Sequence, residues 1–165
     1  MFGFAYIVEG MSITPRPLTL ERDRFGGAGP IMVWGGVSQH HRTELVDIAG
    51  NLNAVHYRKD TLLPHVVPFL QAHPDMTLQH DNATSHTARS VHDFLQDRNV
   101  SVLPWPAKSP VLNPIEHIWD LLDRRARSIP PRNVWELAGD LVEEWGNISQ
   151  QELANLVLSM RRRCT

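Results

Sequence analysis

The chain has a single cysteine, Cys164, in 165 residues, so no disulfide can close within it; a scaffold held by such cross-links is excluded and a reducing compartment fits. No apolar run approaches the roughly 20 residues that a membrane-spanning helix needs. The opening MFGFAYIVEG is apolar but short and lacks a basic leader, so neither a membrane segment nor a secretion signal is expected. Neither sign of charge dominates: 16 Lys and Arg stand against 18 Asp and Glu, which argues against a global electrostatic commitment to nucleic acid. Internal repeats and low-complexity tracts are absent too.

What is present is a hydrophobic content of 42%, enough at this length for one sizeable core and one domain. Residues 10–30 hold Pro15, Pro17, Gly26, Gly27, Gly29 and Pro30, which break helices and strands alike. The expectation is an irregular lead-in over residues 1–30 and a single domain over 31–165. IMVWGGVS (31–38) and TELVDI (43–48) flank the polar QHHR and read as a hairpin. Asn51 or Asn53 offers a cap to a helix reaching residue 72, with Val55, Leu62, Val66, Phe69 and Leu70 on one side; Pro64 and Pro68 are expected to kink or split it. MTLQH (76–80) and VSVLP (100–104) read as short strands around a helix over 85–98. Asn113-Pro114 starts a helix whose buried face is Ile115, Ile118, Trp119 and Leu122, and two more follow over 133–146 and 149–163, separated by Gly146. Strands interleaved with helices in this order imply an α/β fold, a mixed sheet covered by helices.

Two acids stand in dense local motifs with thirty-four residues between them: Asp81 in HDNATSHTA (80–88) and Glu116 in WPAKSPVLNPIEHIWD (105–120). Asp81 would leave the carboxyl end of a strand, and Glu116 would sit in the first turn of a helix, where the macrodipole keeps a carboxylate ionised. Magnesium and manganese prefer oxygen ligands, and phosphodiester chemistry favours two such ions about 4 Å apart. Read one at a time, the same residues also fit a capping box from Asn113 to Glu116 and an ordinary Asp81-Asn82 turn. Both readings stay open from spacing alone.

The surrounding text resembles the transposases of the mariner superfamily, in the branch with thirty-four residues between the second aspartate and the glutamate of its catalytic triad. The resemblance runs through ERDRFGG (21–27), VWGG (33–36), GNLNA (50–54), LLPHVVPFL (62–70), DNATSHTA (81–88) and VLPWPAKSPVLNPIEHIWD (102–120) and on past Arg127. It implies an RNase H-like fold with strand order 3-2-1-4-5, a Mg2+ or Mn2+ two-metal site, and cut-and-paste transposition of DNA in the nucleus. By that resemblance Asp81 and Glu116 are catalytic metal ligands, Asn82, His86 and Asn113 line the site, and the partners are DNA and another transposase subunit.

The chain also departs from the family. The first catalytic aspartate belongs on the central strand upstream of the segment matching VWGG, and no such motif is found there; the first strand is missing or replaced. Phe2 to Val8 is the segment that could fill the gap, and Glu9 after it is the candidate substitute ligand, whereas Asp23 falls in a loop motif. A counterpart of the family's helix-turn-helix region is likewise not found, and Val111 stands where the family has an aspartate. The expectation is therefore a truncated DDE endonuclease domain that lacks activity alone. The alternatives are a noncatalytic remnant that binds DNA or a transposase subunit, and an unstable fragment without function.

Nine histidines raise the question of zinc, yet no HExxH spacing occurs and one cysteine cannot seed a finger, so zinc is disfavoured. His40-His41 reads as a solvated turn, and His80 and His86 flank Asp81. Arg124, Arg125 and Arg127 at the end of the Glu116 helix suit the helix dipole or a phosphate backbone equally. Trp119, Trp135 and Trp145 are expected in the core, while Trp105 between two prolines either packs or touches DNA.

Overall fold

A computed structural model describes residues 3–8, 12–13, 31–48, 53–74, 76–80, 84–103, 114–126, 128 and 134–163. The β-branched and aromatic runs form strands β1 (Gly3–Val8), β2 (Ser12–Ile13), β3 (Ile31–Val37), β4 (Val46–Ile48) and β5 (Met76–Gln79). β1 pairs antiparallel with β3 and parallel with β5. Val37 pairs with Tyr6 and also bridges Arg42; Met32 pairs with both Ser12 and Ile48. A strand has only two hydrogen-bonding edges, so β1 and β2 share one edge of β3 while β4 holds the other. Past β5, Leu78 bridges Val102 in parallel, with Leu78 N donating to Ser101 O and Leu103 N donating to Leu78 O.

The spatial order is thus β4, β3, β1, β5 and the Val102 bridge, which is the 3-2-1-4-5 order expected of an RNase H-like sheet. The gap left open by the sequence is filled: Gly3–Val8 is the central strand, paired on both edges. The expectation of an irregular lead-in across residues 1–30 is corrected to that extent. An apolar six-residue segment between two strands with free edges satisfies their backbone groups, an arrangement its own sequence does not announce.

Alternation along β3 divides the core in two. Val33 and Val37 face one layer, with Leu45 beside them; Trp34 and Met32 face the other. The first layer is built from α5 (Pro114–Ala126), α6 (Val134–Asn147) and α7 (Gln150–Arg163), whose inward residues include Ile115, Ile118, Trp119, Leu122, Leu141, Trp145 and Leu153, with Ile148 joining them from the turn between α6 and α7. Gly35 lies on that face because a Cβ there would stand 2.8 Å from Trp145 Cη2. Trp119 and Trp145 stack at 5.9 Å between centroids.

The second layer begins with α1 (Ala54–His56), continues as a π-helical stretch (Tyr57–Val66) and closes with α2 (Val67–Ala72); α3 (Thr84–Thr87) and α4 (Arg89–Asp97) complete it. Asn53 caps α1 by accepting from His56 N at 2.9 Å, as expected of one of the two asparagines. The two prolines neither split nor break this run. Pro64 lies inside the π stretch, where Val67 N bonds Leu62 O, and Pro68 takes a first-turn position of α2. The wider π turn shifts the phase of the apolar stripe, so Val55 is exposed rather than aligned with Leu62 and Val66. The helix expected over 85–98 is two pieces, broken at Ala88, whose ψ of 139° is extended. Gly146 lies within α6 rather than between helices.

Candidate functional site

β1 and β5 run parallel in a fixed register, Gly3 beside Met76 through Tyr6 beside Gln79. Their carboxyl ends therefore emerge at the same edge of the sheet, the edge at which open α/β folds gather ligands. His80 continues from β5, and Asp81 follows it in sequence. Asp81, Asn82, Asn113, Trp105 and Arg127 lie outside the described residues, as do Glu9 and Val111. Glu116 is half-buried in the first turn of α5. Ile115 and Ile118 hold that turn by packing into the layer with Val33 and Val37.

Around the end of β5 the core becomes polar. His80, His86 and Tyr57 are all buried. The Tyr57 hydroxyl and His80 Nδ1 are hydrogen-bonded at 2.9 Å, His80 and His86 stack at 4.8 Å with planes 5° apart, and the Tyr57 ring lies 4.1 Å from His86. Three elements meet in this cluster: the π-helical stretch gives Tyr57, the strand exit gives His80, and α3 gives His86. Thr61 Oγ1 donates to Tyr57 O inside the π turn, which fixes the backbone under the tyrosine. Gln79, the last residue of β5, is also buried, and its Nε2 has no hydrogen-bond partner among the described residues. Burial of this much polar surface is costly unless paired, so its concentration at one strand end marks that end as special.

Tyr57 is the residue that sequence reasoning missed. Tyr57, Thr61, Leu62 and Val66 are the buried residues of the π-helical stretch, a spacing that an α-helical reading of the sequence does not single out. Arg42 was missed as well: its Nη1 donates to Trp145 O at 2.7 Å and Ile148 O at 2.6 Å, capping α6 from the hairpin.

The arginines divide. Arg124 is exposed, with its Nε donating to Asp120 O within α5. Arg125 Nη2 pairs with Glu152 Oε1 at 2.8 Å, so its guanidinium joins α5 to the start of α7. Ser149 and Glu152 form a reciprocal capping box there, Ser149 N donating to Oε2 at 2.9 Å and Glu152 N to Ser149 Oγ at 3.1 Å. The Ser149 backbone N–H is the main cause holding the Glu152 carboxyl below its usual value, with Arg125 adding to it. The S-x-x-E spacing was visible in the sequence.

His40 and His41 are exposed, in line with a solvated turn, although the His41 ring packs 4.1 Å from His73. Trp119 and Trp145 are core residues, but Trp135 is 82% exposed, against the expectation. Ten residues from Trp135 to Trp145 are not a whole number of 3.6-residue turns, and Leu137, Leu141 and Trp145 take the buried row. Among the described residues no three His, Cys, Asp or Glu converge as a metal-binding group, and no helix is long and apolar enough to cross a membrane.

A family model described as DDE superfamily endonuclease matches residues 21–138. The chain is 32% identical over 151 residues to the transposable element Tc3 transposase of Caenorhabditis elegans, covering 89% of this chain and 45% of that protein. It is 34% identical over 140 residues to the transposable element Tcb1 transposase of Caenorhabditis briggsae, covering 84% of this chain and 51% of that protein. The chain thus spans about half the length of these curated relatives. Its fold matches a structure of the Mos1 transposase catalytic domain with Raltegravir and Mn, at a TM-score of 0.76 and 20% identity over 97% of this chain and 78% of that one.

Proposed function

Because the chain belongs to the DDE superfamily endonucleases, we propose that it is a transposase-derived endonuclease domain. Its ancestral work was metal-dependent DNA strand cleavage and transfer in cut-and-paste transposition, and its setting is the nucleus. Support comes from the likeness to Tc1/mariner transposases along most of the chain and from Mos1 structures solved with Mg and with a transposon end. In this reading Asp81 and Glu116 are the metal ligands, Asn82, His86 and Asn113 border them, DNA and a second transposase subunit are the partners, and Arg124, Arg127 and Trp105 meet the DNA backbone.

One observation supports the reading that the domain is inactive alone. The strand adjoining β5 is β1, and its residues, Gly-Phe-Ala-Tyr-Ile-Val, include no acid. Two carboxylates match magnesium or manganese in kind, since both ions take oxygen donors, but they fall short in number for a two-metal site. The described residues therefore fall short of the full metal centre, and in this reading the isolated domain does not cleave DNA.

A gain of function tests this. Val8 lies two residues beyond Tyr6 and Asp81 two beyond Gln79, the pair that β1 and β5 bring side by side. Val8→Asp should strengthen manganese binding by calorimetry at least about tenfold, as a third carboxylate joins the donor set. The parent chain should nick supercoiled plasmid no faster than background with manganese. Nicking by the parent that disappears in Glu9→Gln would show that Glu9 completes the site and would overturn the inactive reading.

A further inference from the structure

The strand rows decide which side of the sheet each β5 residue faces. Tyr6 stands directly beside Val37 in β3 and directly beside Gln79 in β5, and residues in one row of a sheet project to one side of it. Val37 packs into the α5–α7 layer, so Gln79 points into that layer, while its neighbour Leu78 packs into the other. A carboxamide is out of place there. The buried cluster of that layer is hydrophobic, Gln79 is only 1% exposed, and its Nε2 finds no acceptor among the described residues. An unpaired buried donor destabilises a fold that an apolar side chain of the same size would not, so the amide calls for an acceptor.

On that side α5 packs against β1, the strand beside Gln79. The first turn of α5 carries one carboxylate, Glu116, half-buried between the buried Ile115 and Ile118. Carboxylates that hold a metal depend on hydrogen bonds from a surrounding shell to keep their orientation. We propose that Gln79 is a positioning residue: its carboxamide donates to the Glu116 carboxylate and holds it in orientation for a divalent cation. This role rests on the metal-ligand reading of Glu116 and adds to it a residue that touches neither the cation nor DNA. A neutral amide suits the task, because it donates without a charge of its own, whereas a lysine at the same place would compete with the cation for the carboxylate.

Manganese titration of the whole chain, followed by paramagnetic broadening of backbone amide signals, tests this without requiring cleavage. In the parent, the signals of Gln79, His80, Ile115, Glu116 and His117 should broaden first. Gln79→Met keeps the volume and removes the donor. It should raise the half-saturating manganese concentration about tenfold or more without lowering the melting temperature in EDTA, because Nε2 has no hydrogen-bond partner to lose. Gln79→Leu, also apolar and of similar size, should do the same. Glu116→Gln should weaken binding too, and Gln79→Met should add nothing in that background, the mark of a residue that acts through Glu116. Unchanged half-saturation in both Gln79 variants, an equal further loss in the Glu116→Gln background, or a lowered melting temperature of both variants in EDTA would each overturn the positioning role. Broadening indifferent to Glu116→Gln would instead overturn the metal-ligand reading of Glu116, and this role with it.

Discussion

The two layers packed on the sheet are built differently. The α5–α7 layer is almost wholly apolar inside, and its polar contacts sit at the rim: Arg42 and Thr43 of the hairpin clasp the end of α6, while Ser149, Glu152 and Arg125 tie α7 to α5. The layer of α1, the π-helical stretch and α2–α4 instead carries Tyr57, His80 and His86 within its interior. Apolar packing tolerates small adjustments, whereas a buried hydrogen-bonded cluster permits one arrangement. The first layer therefore supplies stability, and the second fixes the strand end from which Asp81 follows.

Breaking the apolar layer should have the largest consequence. Trp145→Ala removes a buried indole that contacts Gly35, stacks on Trp119 and donates from Nε1 to Thr43 O at 3.0 Å. A loss of about 3–5 kcal/mol is expected from urea unfolding, with both layers melting together because they share the sheet. A loss below about 1 kcal/mol would mean that the hairpin clasp and the tryptophan pair do not organise that face.

In the polar layer the expected loss is smaller but more local. Tyr57→Phe keeps the ring against His86 and deletes only the hydroxyl facing His80 Nδ1. Losing that buried hydrogen bond should cost about 0.5–1.5 kcal/mol. The informative readout is local: amide exchange around residues 76–80 and 84–87 should rise more than at α6 or α7. Equal acceleration in both layers would deny that the cluster specifically secures the strand end.

The difference between the layers also explains what could be read in the sequence. Periodicity located α5 through its Ile115, Ile118, Trp119 and Leu122 row, because an amphipathic helix over an apolar sheet face writes its contacts at 3.6-residue spacing. The hairpin of β3 and β4 was legible for the same reason at period two. Gly3–Val8 was legible only as the segment that could fill the missing strand's place, because its partners lie about 30 and 73 residues away along the chain and strand pairing of that range leaves no local mark. The exposure of Trp135 was missed since composition favours burying tryptophan, while phase along α6 decides it. Among the site residues, the motifs around Asp81 and Glu116 were plain, but Tyr57 was not, since a π turn changes the spacing at which a helix presents its side chains.

At the rim of the apolar layer, Ser149→Ala should cost about 1 kcal/mol, the usual worth of a helix N-cap. The same residue also lowers the Glu152 carboxyl, whose folded value lies below its ordinary 4.5. That shift contributes stability present above about pH 4.5 and lost as pH falls through the lower folded value. Arg125→Gln should flatten this acid limb, and Ser149→Ala should flatten it less, because alanine keeps the backbone N–H that is the main cause and removes only a hydroxyl whose contribution is smaller than that of Arg125.

The smallest effect belongs to His41, which faces His73 at 4.1 Å between ring centroids and has His40 beside it. Partial burial first, then those two imidazoles, hold His41 below its ordinary 6.5. The folded state thus binds a proton less readily than the unfolded chain, so the contribution is complete above pH 6.5 and declines as pH falls toward the folded value. Because the ring is exposed at the hairpin tip, solvent screening keeps the change in unfolding midpoint small. An NMR titration should place His41 below 6.5, and His73→Asn should move it back toward that value without altering Tyr57, His80 or His86. An unchanged His41 titration in that variant would mean that its depression comes from burial at the hairpin alone.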